Sequence, residues 1–225
     1  MPRPLPLFAL LLGASFLATT PAAAAPGRAP EPATPPGQVV LEVGWAGPGG
    51  DLGDDFSPAI SELGFGARDG LELGFRWRHH FSTHWSLSPG FHVVDYRNYH
   101  STDPDFGDFS VTATSLRYTL EFMWTGGRPG AGTRPFAALA GGWYRNRVVG
   151  LNKNLAEPFD ESVNTPGLGL RAGLRVHAFE FCALYSVNRF DTYRFFSGDE
   201  LTAPVSYDWD NVGLRVGWIL PIGGD

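Results

Sequence analysis

The side chains best suited to chemistry form one alternating set. Glu42, Glu72, Arg76, Arg78, Arg117, Glu121, Arg171, Arg175 and Arg215 all lie in runs that are apolar at every second position, with Arg78 closing its run after Trp77. From Leu71 to Arg78, Leu71, Leu73, Phe75 and Trp77 face one way, and Glu72, Gly74, Arg76 and Arg78 the other. Guanidinium and carboxylate groups on one enclosed face can do two things. They can pair into an internal network, for which arginine is suited because its planar fork satisfies two carboxylate oxygens. They can also line a narrow polar path for water or small ions, which six arginines against three glutamates would incline toward anions. Buried charges need partners, or each costs several kcal/mol. Structural packing is therefore the main expectation. His92 and His177 share the inward phase and are expected in the core. No spacing supports a metal site, and no cofactor is implied. Asp103 to Asp108 has the acidic residues of a calcium loop, without its full spacing or its terminal glutamate.

The elements that must carry these side chains are strands. Period-2 alternation marks Val39–Ala46, Leu71–Arg78, Trp85–Val94, Val111–Trp124, Pro135–Tyr144, Gly167–Ala178, Phe181–Phe190 and about Asp208–Leu220. Pro89 cannot donate to a ladder and predicts a bulge or a local break in its strand. Long connections fall at 47–70, 96–110, 145–166 and 191–207, and short ones at 79–84, 125–134 and 179–180. That rhythm fits an eight-stranded antiparallel up-and-down transmembrane β-barrel with four long outer loops and three short inner turns. The stretch Ile60–Ala67 also alternates and is read as an extension of the first hairpin, because a ninth strand would break the even count. Trp45, Trp77, Trp85, Trp124, Trp143 and Trp218 lie near strand ends on the apolar faces, as an aromatic girdle at two membrane interfaces requires.

Composition agrees. Seven tryptophans, seven tyrosines and seventeen phenylalanines coexist with a mean hydropathy of −0.10. A barrel reconciles the two, because only alternate residues meet lipid. The formal net charge of −6 and the lack of a basic face exclude nucleic acid as a partner. The one cysteine, Cys182, excludes an intrachain disulfide. Arg3, the apolar run Leu5–Ala18 and the small residues Ala22–Ala25 read as a signal peptide over residues 1–24, cut after Ala23 or Ala24. Residues 25–37 read as a Pro/Ala-rich linker, and 38–221 as the barrel domain. The four long loops are acidic, which solvates them and would let them share divalent cations with a lipopolysaccharide surface.

The strand pattern, the loop asymmetry and the export signal together resemble the small outer-membrane β-barrel superfamily of Gram-negative bacteria, the OmpX/OmpA-type eight-stranded barrels, over about Gln38 to Leu220. The resemblance implies residence in the cell outer membrane and contact with outer-membrane lipid and lipopolysaccharide. It also implies assembly by the barrel-assembly machinery, a monomer, and a structural or surface-interaction role. A narrow passive pore is the alternative. Such proteins usually end in an aromatic assembly signal, whereas here Trp218, Ile219 and Leu220 are followed by Pro-Ile-Gly-Gly-Asp. A lipid A-modifying hydrolase is the further alternative. The lipid A deacylase group carries His-x-Ser-Asn near the end of the penultimate strand, where this chain reads Tyr185-Ser186-Val187-Asn188. A nucleophilic Ser186 would then need a base within hydrogen-bond reach, and His177 would serve only if the strand register favoured it.

Overall fold

The computed structural model describes residues 37–53, 67–97, 99–103, 107–152, 159–192 and 205–222. The signal-peptide reading, all but the last residue of the linker, and residues 60–66 of the hairpin extension lie outside them. Among the described residues there are eleven strands. These are β1 (Gly37–Pro48), β2 (Arg68–His80), β3 (Trp85–Arg97), β4 (Tyr99–Asp103), β5 (Gly107–Thr125), β6 (Thr133–Asn152), β7 (Phe159–Val176), β8 (Phe179–Val187), β9 (Arg189–Thr192), β10 (Val205–Asp208) and β11 (Asn211–Ile222).

Each long strand pairs antiparallel with its neighbours, β3 pairs with β5, and β1 pairs with β11 from Gly37↔Ile222 to Pro48↔Asn211. The sheet therefore closes on itself as an eight-stranded barrel. β4 continues the line of β3, pairing with β5. β9 and β10 form a two-stranded ribbon beyond β8 and β11. Closure pairs the wall strands on both sides, while β7 from Phe159 to Gly167 pairs with β6 alone among the described residues.

Side-chain placement inverts that of a water-soluble domain. Leu168 and Leu214 are each 60% exposed, while Glu72, Arg76 and Arg78 are 0% exposed. Apolar residues face out all around the wall, including Leu41, Val43, Leu73, Phe75, Leu120, Leu139, Leu170, Leu174, Phe181 and Val216.

The structure differs from the sequence expectations at several places. Two of the expected long connections are largely strand. β6 continues to Asn152 and β7 begins at Phe159, so most of 145–166 is paired ladder. β5 begins at Gly107 and pairs with β4, which occupies much of 96–110. In the β6–β7 extension polar residues appear on the outer face, so the simple apolar-polar alternation fades while the hydrogen bonding continues. The last turn lies at His177–Ala178 and not at 179–180. His177 adopts a φ of 51°, and its exposed side chain lies in the turn, outside the core. The strand expected over Phe181–Phe190 is interrupted at Asn188, and Asp208 belongs to β10, with β11 starting at Asn211. At Pro89 the pairing with β2 lapses between Arg76↔Gly90 and His79↔Leu87 and resumes in the same register. It is a break without an extra residue, as a ring nitrogen with no proton dictates.

Candidate functional site

The barrel interior gathers the charged set. β1 contributes Glu42, β2 contributes Glu72, Arg76 and Arg78, and β5 contributes Arg117 and Glu121. β7 contributes Arg171 and Arg175, β8 contributes Glu180, and β11 contributes Arg215. All but Arg175 are buried, and Arg175 is half-buried. Glycines make the room. Gly90 stands opposite Arg76, and a Cβ there would come within 2.7 Å of Arg76 Cγ. Gly74 stands opposite His92, where a Cβ would lie 2.1 Å from ring carbon Cδ2.

Arg76 is the hub. Its Nε and Nη2 donate to the two oxygens of Glu42 at 2.8 and 2.9 Å, its Nη1 donates to Glu121 at 2.5 Å, and Nη2 also reaches Glu180 at 2.9 Å. Arg171 bridges Glu42 and Glu121, both at 2.7 Å. Arg78 pairs with Glu180 through Nη2 at 2.9 Å, and its Nη1 lies 2.7 Å from the other oxygen. Arg215 grips both oxygens of Glu72, with Nε at 2.9 Å from Oε2. His92 Nε2 shares a hydrogen bond with Glu42 at 2.8 Å. Bidentate, charge-assisted contacts of this kind offset much of the desolvation of each ion.

Two residues of the set stand apart from the hub. Arg175 reaches Gln38 at 3.3 Å. Arg117 makes no ion pair with a carboxylate among the described residues. It donates to Tyr96 Oη at 3.1 Å and Ser115 Oγ at 3.3 Å, and lies 5.1 Å from the centre of the Tyr144 ring.

Glu180, Gln38 and Tyr96 also belong to this arrangement, although the sequence reading does not single them out. It places Glu180 in a turn. The signal is nonetheless present, since Glu180, Cys182, Leu184 and Ser186 alternate with Phe179, Phe181, Ala183 and Tyr185.

Apolar clusters close the interior above and beside the charges. Toward the long connections, Leu52, Val94, Tyr96, Val111, Val148, Phe190, Tyr207 and Trp209 pack into one buried cluster. Hydrogen bonds tie it down. Gly49 N donates to Asp210 O at 2.8 Å, Asp208 N to Asp51 Oδ2 at 2.7 Å, and Trp209 N to Asn188 O at 2.9 Å. Beside the charges, Met123, Phe136, Ala138 and Cys182 form a second cluster, with Arg171 lying 5.2 Å from the centre of the Phe136 ring.

On the outer wall, Trp45, Trp77, Trp85, Trp143 and Trp218 are exposed, and Trp124 is partly so. Trp85 pairs with Trp124 across β3 and β5 and stacks on Phe122 at 4.7 Å. The seventh tryptophan, Trp209, is in the internal cap.

The serine considered as a nucleophile does not meet its base. Ser186 is buried opposite Gly169 and Asn211, while His177 lies in the turn at the other end of β8, about 23 Å away at the usual rise of a strand. Among the described residues no group of three His, Cys, Asp or Glu side chains is placed to hold a metal ion.

A closed eight-stranded antiparallel wall, apolar outside and filled with charge inside, is the architecture of a small transmembrane-type β-barrel. No protein-family model matches the chain, and no curated protein matches it. Similar solved structures include Neisserial surface protein A, at 11% identity and a TM-score of 0.48, covering 83% of this chain and 97% of that one. They also include a major outer membrane protein from Thermus thermophilus, at 13% identity and a TM-score of 0.47, covering 82% and 99%. The N-terminal β-barrel domain of Pseudomonas aeruginosa OprF is similar at 14% identity and a TM-score of 0.42, covering 81% and 97%. The strand registers and side-chain placement of this chain themselves define the fold.

Proposed function

We propose that the protein is an outer-membrane β-barrel with a structural or surface-interaction role and no catalysis. The observation that carries this reading is the inversion of the wall, with leucine, phenylalanine and tryptophan outside and paired arginine and glutamate inside. Water would penalise that exterior, whereas hydrocarbon accepts it. The partners that follow are outer-membrane lipid and lipopolysaccharide around the wall, and the barrel-assembly machinery during insertion. The closed sheet needs no second copy to pair its strands, which supports a monomer. The β5–β6–β7 ladder runs beyond the apolar band and presents polar strands at the long-connection end, which is the surface offered to partners.

The pore reading is weaker, because ion pairs bridge the lumen and an apolar cluster covers it. Fractionation of membranes, together with heat-modifiable gel mobility, tests the main proposal. Recovery with outer membranes and a mobility change on boiling are the expected results. A soluble product whose mobility is unaffected by boiling would overturn the proposal.

A further inference from the structure

On β6 and β7 the outer face turns from apolar to polar at one level, and on β5 one rung later. Tyr118, Trp143 and Pro166 form one rung across the three strands, and Leu116, Arg145 and Asn164 form the next. Thr114, Arg147 and Ser162 form the rung after that. Tyr118 and Trp143 are 55% and 54% exposed, with their rings on the lipid-side face. Amphipathic rings of this kind settle at headgroup depth, so Arg145, about 7 Å further along β6, emerges among the headgroups.

The two arginines there differ. Arg147 is engaged, with Nε and Nη2 on the two oxygens of Asp160 at 2.8 and 2.6 Å. Arg145 is exposed and forms no ion pair or hydrogen bond among the described residues, acting on Asp160 only through space. Asn164, exposed and opposite Arg145, supplies an amide donor at the same rung.

We propose that Arg145, with Asn164 beside it and Trp143 and Tyr118 beneath, is a docking site for the phosphate of a phosphorylated glycolipid of the outer leaflet. The inference rests on the outer-membrane reading above, and it names where the lipopolysaccharide contact is made. A guanidinium fork binds a phosphate at two oxygens. The aromatic rung packs against the first part of the acyl chains. A glycolipid phosphate monoester carries more charge than a phospholipid diester, which favours it at a cation that has no partner among the described residues. The site lies at the end carrying the long connections, which in this class of barrel faces outward.

The test uses the full barrel, folded into phosphatidylcholine vesicles containing either bisphosphorylated lipid A or phosphatidylglycerol. It is then extracted into mild detergent, and retained lipid is counted by native mass spectrometry. The wild type should retain lipid A in preference to phosphatidylglycerol. Arg145→Gln should bind it about tenfold more weakly, as expected for loss of a charge-assisted contact. Arg145→Lys should recover part of the loss, and Arg147→Gln should change retention little. Equal retention by wild type and Arg145→Gln would overturn the site, as would equal retention of the two lipids by the wild type. Gel mobility of the same samples separates the two proposals. A heat-modifiable barrel without selective retention sinks only the lipid site, whereas a chain that never inserts into vesicles sinks the outer-membrane reading as well.

Discussion

Arg76 touches three of the four glutamates buried among the described residues, so its removal leaves Glu42, Glu121 and Glu180 short of positive charge at once. Breaking a buried pair by deleting one partner typically costs about 3–5 kcal/mol. Arg76→Met should therefore lower unfolding stability by about that amount, measured by urea titration in detergent micelles. A change below about 1 kcal/mol would show that water solvates the glutamates in its place.

A second prediction concerns Asp208 in the β9–β10 ribbon. Burial, its hydrogen bond with Asp210 and that group's charge hold its carboxyl above the ordinary aspartate value. The native state then binds a proton more readily than the unfolded chain. Its contribution to stability is complete below the unfolded value of about 4 and is lost as pH rises through the native value. Amide-exchange protection around Trp209, corrected for intrinsic rate, should rise as pH is lowered from 7. Asp208→Asn should raise protection at pH 7 and abolish that dependence.

At this scale the sequence reveals the charged residues on the alternating face, but not their partners. Which arginine meets which glutamate depends on register across strands far apart in the chain, as for Arg171 and Glu42.

The elements are legible wherever one face meets a different medium from the other. β2, β11 and the Gly167–Val176 part of β7 carry period-2 patterns, and their faces can be read from that alone. Legibility fails where both faces are polar, as in the β6–β7 extension. There Arg145, Arg147 and Asp160 point out, while Asn146 and Thr165 are buried within. It also fails at the β7–β8 turn, where His177 takes the left-handed conformation that a glycine would have advertised.

Spacing between elements is tight where His92 crosses from β3 toward β1. Gly74→Ala would place a methyl group against the His92 ring and 2.9 Å from the Phe91 carbonyl oxygen. We expect a loss of about 1–3 kcal/mol in the same titration, together with loss of the His92–Glu42 hydrogen bond. That second loss would be read as a changed imidazole shift in NMR spectra. An unaltered imidazole signal would show that β2 yields instead.

Across the whole molecule, the ionic hub and the apolar cap lie one above the other within one lumen. Purified wild-type protein in planar bilayers should therefore show no discrete openings. Frequent unitary currents from the wild type would favour the pore reading.

The seam between β1 and β11 joins the first described strand to the last. In most folds local contacts form early and distant ones are added to them. Here the pairing that removes both raw sheet edges unites the two most distant parts of the described chain, so its loop-closure cost is near the largest this polypeptide can incur. Until it forms, two unpaired strands bearing Leu41, Val43, Leu214 and Val216 remain available to any other chain. On the outer-membrane reading proposed above, the chain has to reach the bilayer before its hem is sewn.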